Sequence, residues 1–211
     1  MFPLPFLSFM ARRVGIAVIL SAFIPAAFAA KNILVHGDSL SAGYGIRRDA
    51  AWPALLASRL KKEGFDYNVV NVSISGETTS GGLTRLPASL KRYRPAIVII
   101  ALGSNDGLRG IPLELTRRNL AVMTDAAQKA RAKVVIVGQR IPPNFGSYAK
   151  QFHEIFGEIA RAKKTAHVAF LLDGIAARSE LFLPDNLHPA AEAQPYLLNN
   201  VWKELKPLLK K

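Results

Sequence analysis

The 211-residue sequence has no cysteine, which excludes disulfide bonds and every site that depends on a thiolate. It also lacks a cluster of His, Asp and Glu at metal-ligand spacing, so we expect no metal ion and no other cofactor. Although the formal net charge is +13, no block of five or more like charges occurs, and solvated helix faces are expected for the basic residues. An aromatic-interleaved basic stripe is absent, so nucleic acid is not an expected partner. The alternative for this charge is transient attraction to an anionic membrane surface.

A clear transmembrane run is missing too, because the N-terminal apolar segment 14–24 is too short to span a bilayer. Arg12 and Arg13 precede this segment, and Ala27-Phe28-Ala29 follows it as a small-x-small cleavage site. This layout predicts a signal peptide over residues 1–29, a single domain over residues 30–211, and a periplasmic or secreted protein. The alternative is an uncleaved N-terminal anchor.

Beyond residue 30, apolar runs alternate with segments of helical periodicity. This alternation is typical of βαβ units and predicts an α/β domain with a parallel sheet between helix layers. The predicted strands are 32–36, 67–72, 96–102, 133–137 and 168–172, and the predicted helices are 50–63, 81–92, 113–131, 147–161 and 190–209, the last one interrupted near Pro195.

Gly37-Asp38-Ser39-Leu40 directly follows the first predicted strand, and ligands of α/β sheets bind at such strand ends. Ser39 is therefore either a nucleophile or a helix N-cap. A serine nucleophile needs a base that is oriented by a third group. His188 has Asp185 three residues before it in a proline-flanked loop, although such pairs also occur for structural reasons.

Acyl transfer also requires donors aimed at the oxygen that becomes negative. Gly76 lies in a polar turn after the second predicted strand and could bring its backbone N–H close to a substrate. Asn105, in Gly103-Ser104-Asn105-Asp106 after the third strand, could donate from its side chain. The alternative for both turns is ordinary turn chemistry.

The four blocks, taken in order, resemble those of the SGNH (GDSL) hydrolases over nearly the whole segment beyond residue 33. The similarity is greatest to the bacterial branch called thioesterase I, arylesterase or lysophospholipase. It implies a flavodoxin-like three-layer α/β/α sandwich with a five-stranded parallel sheet. It also implies that Ser39 is the nucleophile, His188 the base and then the acid, and Asp185 the orienting carboxylate. The oxyanion hole would be the backbone N–H groups of Ser39 and Gly76 with the Asn105 side chain.

Two positions depart from the family pattern. Many close relatives have glycine where this chain has Ser104, a change that affects loop mobility and the fit of an acyl chain. They have an apolar residue or glycine where this chain has His36. We expect His36 to be structural, since His188 already has its carboxylate partner.

The resemblance implies an exported serine esterase that acts on aryl esters, acyl thioesters or lysophospholipids as a monomer. Leu108, Ile111 and Pro142 are candidates for the wall of an acyl groove, or alternatively core and helix-start residues. Two other functions stay open: a carbohydrate O-deacetylase with the same triad, and a non-catalytic lipid-binding module.

Overall fold

The computed structural model describes Met1 and residues 30–211, so the predicted signal peptide lies outside the described residues. Five parallel strands form one sheet in the order β2-β1-β3-β4-β5. The strands are β1 (Lys31–Gly37), β2 (Tyr67–Asn71), β3 (Ile97–Ala101), β4 (Lys133–Val137) and β5 (Ala166–Val168). The helices are α1 (Ser39–Ala42), α2 (Trp52–Lys62), α3 (Thr79–Tyr93), α4 (Ser104–Leu108), α5 (Leu113–Lys129), α6 (Ser147–Lys163) and α7 (Gln194–Leu205).

Helices cover both faces of the sheet because successive side chains of a strand point to opposite faces. Ile33 and Val35 of β1 pack with α2 and α7, whereas Leu34, between them, packs with α3, α5 and α6. All residues of the central strand β3 are buried, as expected for a parallel strand covered on both sides. The predicted α/β sandwich with a five-stranded parallel sheet is confirmed. No helix among residues 30–211 combines the length and apolarity that crossing a membrane requires.

The strand order places a crevice between β1 and β3. Within the sheet, β2 lies next to β1 on one flank and β3 lies next to β1 on the other flank. The strand order therefore reverses between β1 and β3, which makes this the topological switch point. Gly37 pairs with Ala101 at the carboxyl edge, so the segments that follow these two strands begin side by side. Ligands of open α/β sheets bind at such points.

The fifth strand was predicted at 168–172, which is wrong except for Val168. After Val168 the chain passes close to the backbone of Gly138, where a Cβ would be 2.3 Å from the carbonyl oxygen of Ala169, so glycine permits this approach. Gly138 donates to the Val168 carbonyl and accepts from the Leu171 N–H. Leu171 is fully buried outside the sheet, so its apolar character reflects the core and not a strand.

The last helix also differs from its prediction. Pro195 does not interrupt it but lies in the first turn of α7, where a missing N–H costs no hydrogen bond. Short 3₁₀ turns, Ala191–Ala193 and Lys206–Leu208, flank the helix. The other predicted helices agree with the structure to within a turn.

Candidate active site

The turn that carries Ser39 is built by Gly37 and Asp38. A Cβ at Gly37 would lie 2.8 Å from Ser41 Oγ and 3.0 Å from the Ala101 carbonyl oxygen, so glycine permits the tight exit from β1. Asp38 Oδ1 accepts a hydrogen bond from the Leu40 N–H at 3.0 Å and caps α1. Ser39 is the first residue of α1, so the alternative of Ser39 as the N-cap is wrong.

Ser39, His188 and Asp185 form one hydrogen-bonded series. His188 Nε2 lies 2.9 Å from Ser39 Oγ, and His188 Nδ1 lies 2.7 Å from Asp185 Oδ2. The other carboxylate oxygen of Asp185 accepts from the N–H groups of His188 and Leu187. These backbone donors, together with the His188 ring, lower the pKa of Asp185 to about 2. An ionised Asp185 holds the proton on Nδ1, which leaves Nε2 as an acceptor for the Ser39 hydroxyl.

The loop that bears His188 is held at both ends. The Leu183 N–H donates to the His188 carbonyl at 2.8 Å. The Gln194 side chain, which is buried, donates to the Pro189 carbonyl and accepts from the Trp52 N–H. These contacts connect the loop to the first turn of α2. Sequence reasoning missed Gln194, because no motif marks a glutamine that links two loops.

An aromatic side chain supports the imidazole from a third direction. The Tyr44 ring packs against His188 with a centroid separation of 4.4 Å and a tilt of 38°. Tyr44 follows α1 closely, so the segment that carries Ser39 also carries a contact to its hydrogen-bond partner. Sequence reasoning missed this contact too, although Tyr44 lies only five residues after Ser39.

Of the three expected oxyanion donors, Ser39 and Asn105 line one cavity, whereas Gly76 is not among its lining residues. Asn105 uses one N–H of its amide to donate to the Glu77 carbonyl at 3.0 Å, which leaves the second N–H available. Gly76, the residue before Glu77, has a φ of +78° that glycine adopts without strain, and Arg109 binds its carbonyl at 3.1 Å. Within residues 30–211, no acceptor is assigned to the N–H groups of Ser39 and Gly76.

A buried carboxylate fixes the segment that carries Asn105. Asp106 accepts from the Thr79 N–H at 2.8 Å and from Thr79 Oγ1 at 2.5 Å, and Thr116 Oγ1 approaches it at 3.4 Å. These contacts join α4 to α3 and α5. Sequence reasoning placed Asp106 in the motif but did not assign it this structural role.

A cavity of about 500 Å³ opens beside Ser39 and His188. Its walls are mostly apolar, with some polar residues, among them Gln139, Arg140 and Asn186. The apolar residues include Leu108, Ile141, Pro142, Pro143, Phe170, Leu172 and Phe182. Two of the predicted groove residues, Leu108 and Pro142, line it. Ile111 is not among its lining residues, and the Ile111 carbonyl accepts from the Tyr148 hydroxyl at 2.7 Å. The structure therefore does not bring Ile111 together with the other two predicted groove residues.

His36 and Ser104, the two positions that depart from the family pattern, both lie near the carboxyl ends of the strands. His36 is fully buried, with Nε2 2.9 Å from the Gly82 carbonyl. Burial lowers the pKa of His36 to about 4, so the ring is neutral and donates to Gly82. Ser104 lines the cavity, close to the fully buried Asp38. Burial raises the pKa of Asp38 to about 7, and the hydrogen bond from the Leu40 N–H is the main contact that opposes that rise.

Comparison with known proteins identifies the family to which this geometry belongs. The sequence model of the GDSL-like lipase/acylhydrolase family matches residues 35–194, a span that contains every residue of the site. The chain belongs to this family. The predicted resemblance is confirmed, and the chain is an ester-hydrolysing enzyme.

Individual members of the GDSL-like family agree with this conclusion. Esterase TesA of Pseudomonas aeruginosa is 49% identical over 182 residues, which are 86% of this chain and 90% of that protein. Thioesterase 1/protease 1/lysophospholipase L1 of Escherichia coli K12 is 37% identical over 184 residues, 87% of each chain. The crystal structure of the psychrotrophic esterase EstA from Pseudoalteromonas sp., inhibited by monoethylphosphonate, has a TM-score of 0.80 and 38% identity, and the match covers 84% of this chain and 97% of that one.

Proposed function

We propose that this family member is an exported serine esterase that cleaves carboxylic esters and thioesters through an acyl-serine intermediate. The observation that carries the proposal is the unbroken series from Asp185 through His188 to Ser39, with separations of 2.7 and 2.9 Å. A serine hydroxyl is a weak nucleophile, and a base held in this way is what activates it. A non-catalytic lipid-binding module would have no use for such a series.

In the first step, His188 Nε2 takes the proton of Ser39 while Ser39 Oγ attacks the acyl carbon. The imidazolium then gives this proton to the departing alcohol or thiol, which leaves the acyl group on Ser39. In the second step, His188 Nε2 takes a proton from the water that attacks the acyl carbon. It then gives this proton to Ser39 Oγ as the bond between Oγ and the acyl carbon breaks, and the carboxylic acid leaves. Asp185 stays ionised throughout and stabilises the imidazolium, in keeping with its low pKa.

The negative oxygen of the tetrahedral intermediate would accept from the N–H groups of Ser39 and Gly76 and from the Asn105 side chain. No described residue accepts a hydrogen bond from the N–H groups of Ser39 and Gly76. The Asn105 amide uses one N–H for Glu77 and keeps the second one available. The Asn105–Glu77 and Arg109–Gly76 contacts hold the donors in place before the substrate arrives. Donors that need no rearrangement contribute the most to catalysis.

The walls of the cavity support a lipid-like acyl group as the substrate class. Leu108, Pro142 and Phe170 offer apolar surface to an acyl chain whose carbonyl lies at Ser39. A carbohydrate O-deacetylase would need a mainly polar cavity, whereas polar residues such as Gln139, Arg140 and Asn186 form the smaller part of this lining, so this alternative is disfavoured. The relatives named esterase and thioesterase 1/protease 1/lysophospholipase L1 are consistent with an acyl substrate.

The test is intact-protein mass after brief exposure to a fluorophosphonate, which traps activated serines. The wild type is expected to gain one adduct, and Ser39→Ala none. Ser58→Ala, which changes an exposed serine on α2, is the matched control and should react like the wild type. A folded wild-type protein that gains no adduct would contradict the acyl-serine mechanism.

Export is tested by the mass of the protein recovered from the periplasm of an expressing host. We expect a chain that begins at Ala30, because Ala27-Phe28-Ala29 fits the cleavage site of signal peptides. A recovered chain that retains residues 1–29 would contradict the signal peptide and support an anchor.

A further inference from the structure

Large apolar side chains are exposed at one end of the sheet. Each of the five strands is followed by a segment that contributes one, and we call these five residues the rim patch. The rim patch consists of Tyr44, Ile74, Leu108, Phe145 and Leu187, with exposed fractions of 52%, 48%, 39%, 36% and 49%. Because the carboxyl ends of parallel strands meet at one edge, all five lie at the end of the molecule that bears Ser39.

The rim patch surrounds the mouth of the active site. Leu108 and Leu187 line the cavity itself, and Tyr44 packs against His188. Ile74 shares a shallow depression with Tyr44 on the other side of the nucleophile's segment, and Phe145 follows the proline pair of the cavity wall. Apart from Met1, the other exposed large apolar residues in the described part of the chain are separate, Val122 on α5 and Tyr196 on α7.

Positive charge accompanies the rim patch. Arg48 lines the depression beside Tyr44, Arg140 lines the active-site cavity, and Arg109 reaches the Gly76 carbonyl. All three are exposed, and none forms a salt bridge to a described acidic residue.

Two acidic residues near the rim patch are paired with arginines, since Asp49 binds Arg47 at 2.5 Å and Glu77 binds Arg85 at 2.6 Å. In the segment after β5, Asp185 binds the His188 ring at 2.7 Å, and Asp173 and Glu192 are exposed without a salt bridge to a described residue. Asp106 is fully buried. The unpaired exposed charge in the segments at the carboxyl ends of β1, β2, β3 and β4 is therefore positive, whereas the segment after β5 also carries acidic side chains. The chain as a whole is basic.

We propose that the rim patch docks on an anionic phospholipid surface. Apolar side chains ringed by arginines suit such a surface, because the side chains enter the headgroup region while the guanidinium groups pair with phosphates. Exposed apolar clusters of this kind mark interaction sites, and the charge favours a lipid phosphate over a neutral partner. Docking goes beyond the proposed ester hydrolysis, since it needs no reaction at Ser39, and it brings the cavity mouth to the membrane.

The test is flotation of the Ser39→Ala protein, expressed from the full chain, with vesicles. Vesicles of phosphatidylcholine with phosphatidylglycerol should bind it more tightly than phosphatidylcholine alone, and high salt should weaken this binding. Equal binding to both vesicles, or none to either, would overturn the proposal and point to a protein partner or to no partner. Because all variants have the same N-terminal residues, differences in vesicle binding between them are caused by the substituted residues.

Matched variants distinguish vesicle binding by the rim patch from nonspecific adsorption of the protein to lipid. Ile74→Ser with Phe145→Ser should lower the partition coefficient at least about tenfold, since two half-exposed apolar side chains are lost. Val122→Ser should leave the coefficient unchanged. Arg48→Gln should weaken binding to anionic vesicles, whereas Arg118→Gln on α5 should not. Equal losses in a variant and its control would overturn the proposal.

Hydrolysis of a soluble short-chain aryl ester distinguishes failure of docking from failure of the proposed function. With Ser39 intact, Ile74→Ser with Phe145→Ser should keep wild-type activity on this ester, because neither side chain touches the triad or lines the cavity. Loss of that activity would mean that the double variant perturbs the site, and would overturn the assignment of these two residues to docking alone. Vesicle binding by a wild type that hydrolyses no ester would contradict the proposed function and leave docking standing.

Discussion

His36 makes the stability of the protein depend on pH in a way that can be calculated. Its ring is fully buried on β1, and Nε2 donates to the Gly82 carbonyl at 2.9 Å. Burial lowers the pKa of His36 to about 4 from 6.5, while Arg85 and Glu77, which face it and pair with each other, act in opposite directions. Protonation is therefore much harder in the folded than in the unfolded state.

The sign and magnitude follow from this difference. Above pH 6.5 the ring is neutral in both states and has no effect. As the pH falls from 6.5 to 4, the unfolded chain binds the proton first, so the free energy of unfolding decreases. The His36 contribution falls by up to about 1.4 kcal/mol per pH unit, or about 3 kcal/mol across the window. Below pH 4 both states are protonated and the loss is complete.

The assay compares wild type and His36→Gln by urea unfolding between pH 8 and pH 4. Glutamine can keep the hydrogen bond to Gly82 but cannot be protonated. Since the other titrating groups, Asp38 among them, are common to both proteins, the difference between the two curves reports His36. We expect the free energy of unfolding of the variant to increase relative to that of the wild type as the pH falls below 6.5. Parallel curves over the whole range would refute the reasoning.

Three further predictions concern the site. Asn105→Ala should lower kcat by about 10²–10³ with little change in KM, because an oxyanion donor acts mainly in the transition state. The measurement is steady-state kinetics on an aryl ester, and an unchanged kcat would show that Asn105 is not such a donor. Asp185→Ala should lower kcat by about 10⁴, and should leave more activity than Ser39→Ala; equal residual activities would contradict a purely orienting role. Asp106→Ala should lower the free energy of unfolding by about 2–3 kcal/mol, because the Thr79 donors lose their acceptor; denaturant midpoints equal to those of the wild type would show that water replaces the carboxylate.

Much of the site could be predicted because its parts follow strands. Ser39 and Asn105 lie within four residues of the ends of β1 and β3, whose carboxyl ends are neighbours in a parallel sheet, so proximity in space follows from topology. Asp185 and His188 needed a family pattern, since a loop far along the chain carries no periodicity that shows where it returns. The contacts that Tyr44 and Gln194 make were not predicted, because a pattern of residues along the chain does not show which side chains pack together.

The errors have a common physical cause. Leu171 and Leu172 belong to an apolar run that looks like a strand, but Leu171 fills the core from a turn after β5. Ile111 is apolar and lies near Leu108 in sequence, yet only Leu108 faces the cavity. Composition indicates whether a residue avoids water, and it does not indicate which of two apolar environments receives it.

The distance along the chain between Ser39 and His188 also determines when their contact can form. The two residues are 149 positions apart, and the loop that carries His188 is secured by Gln194 of α7. The ribosome must therefore release the chain beyond Gln194 before His188 can be held beside Ser39. A chain that is shorter than this, or unfolded, lacks the contact on which the proposed mechanism depends.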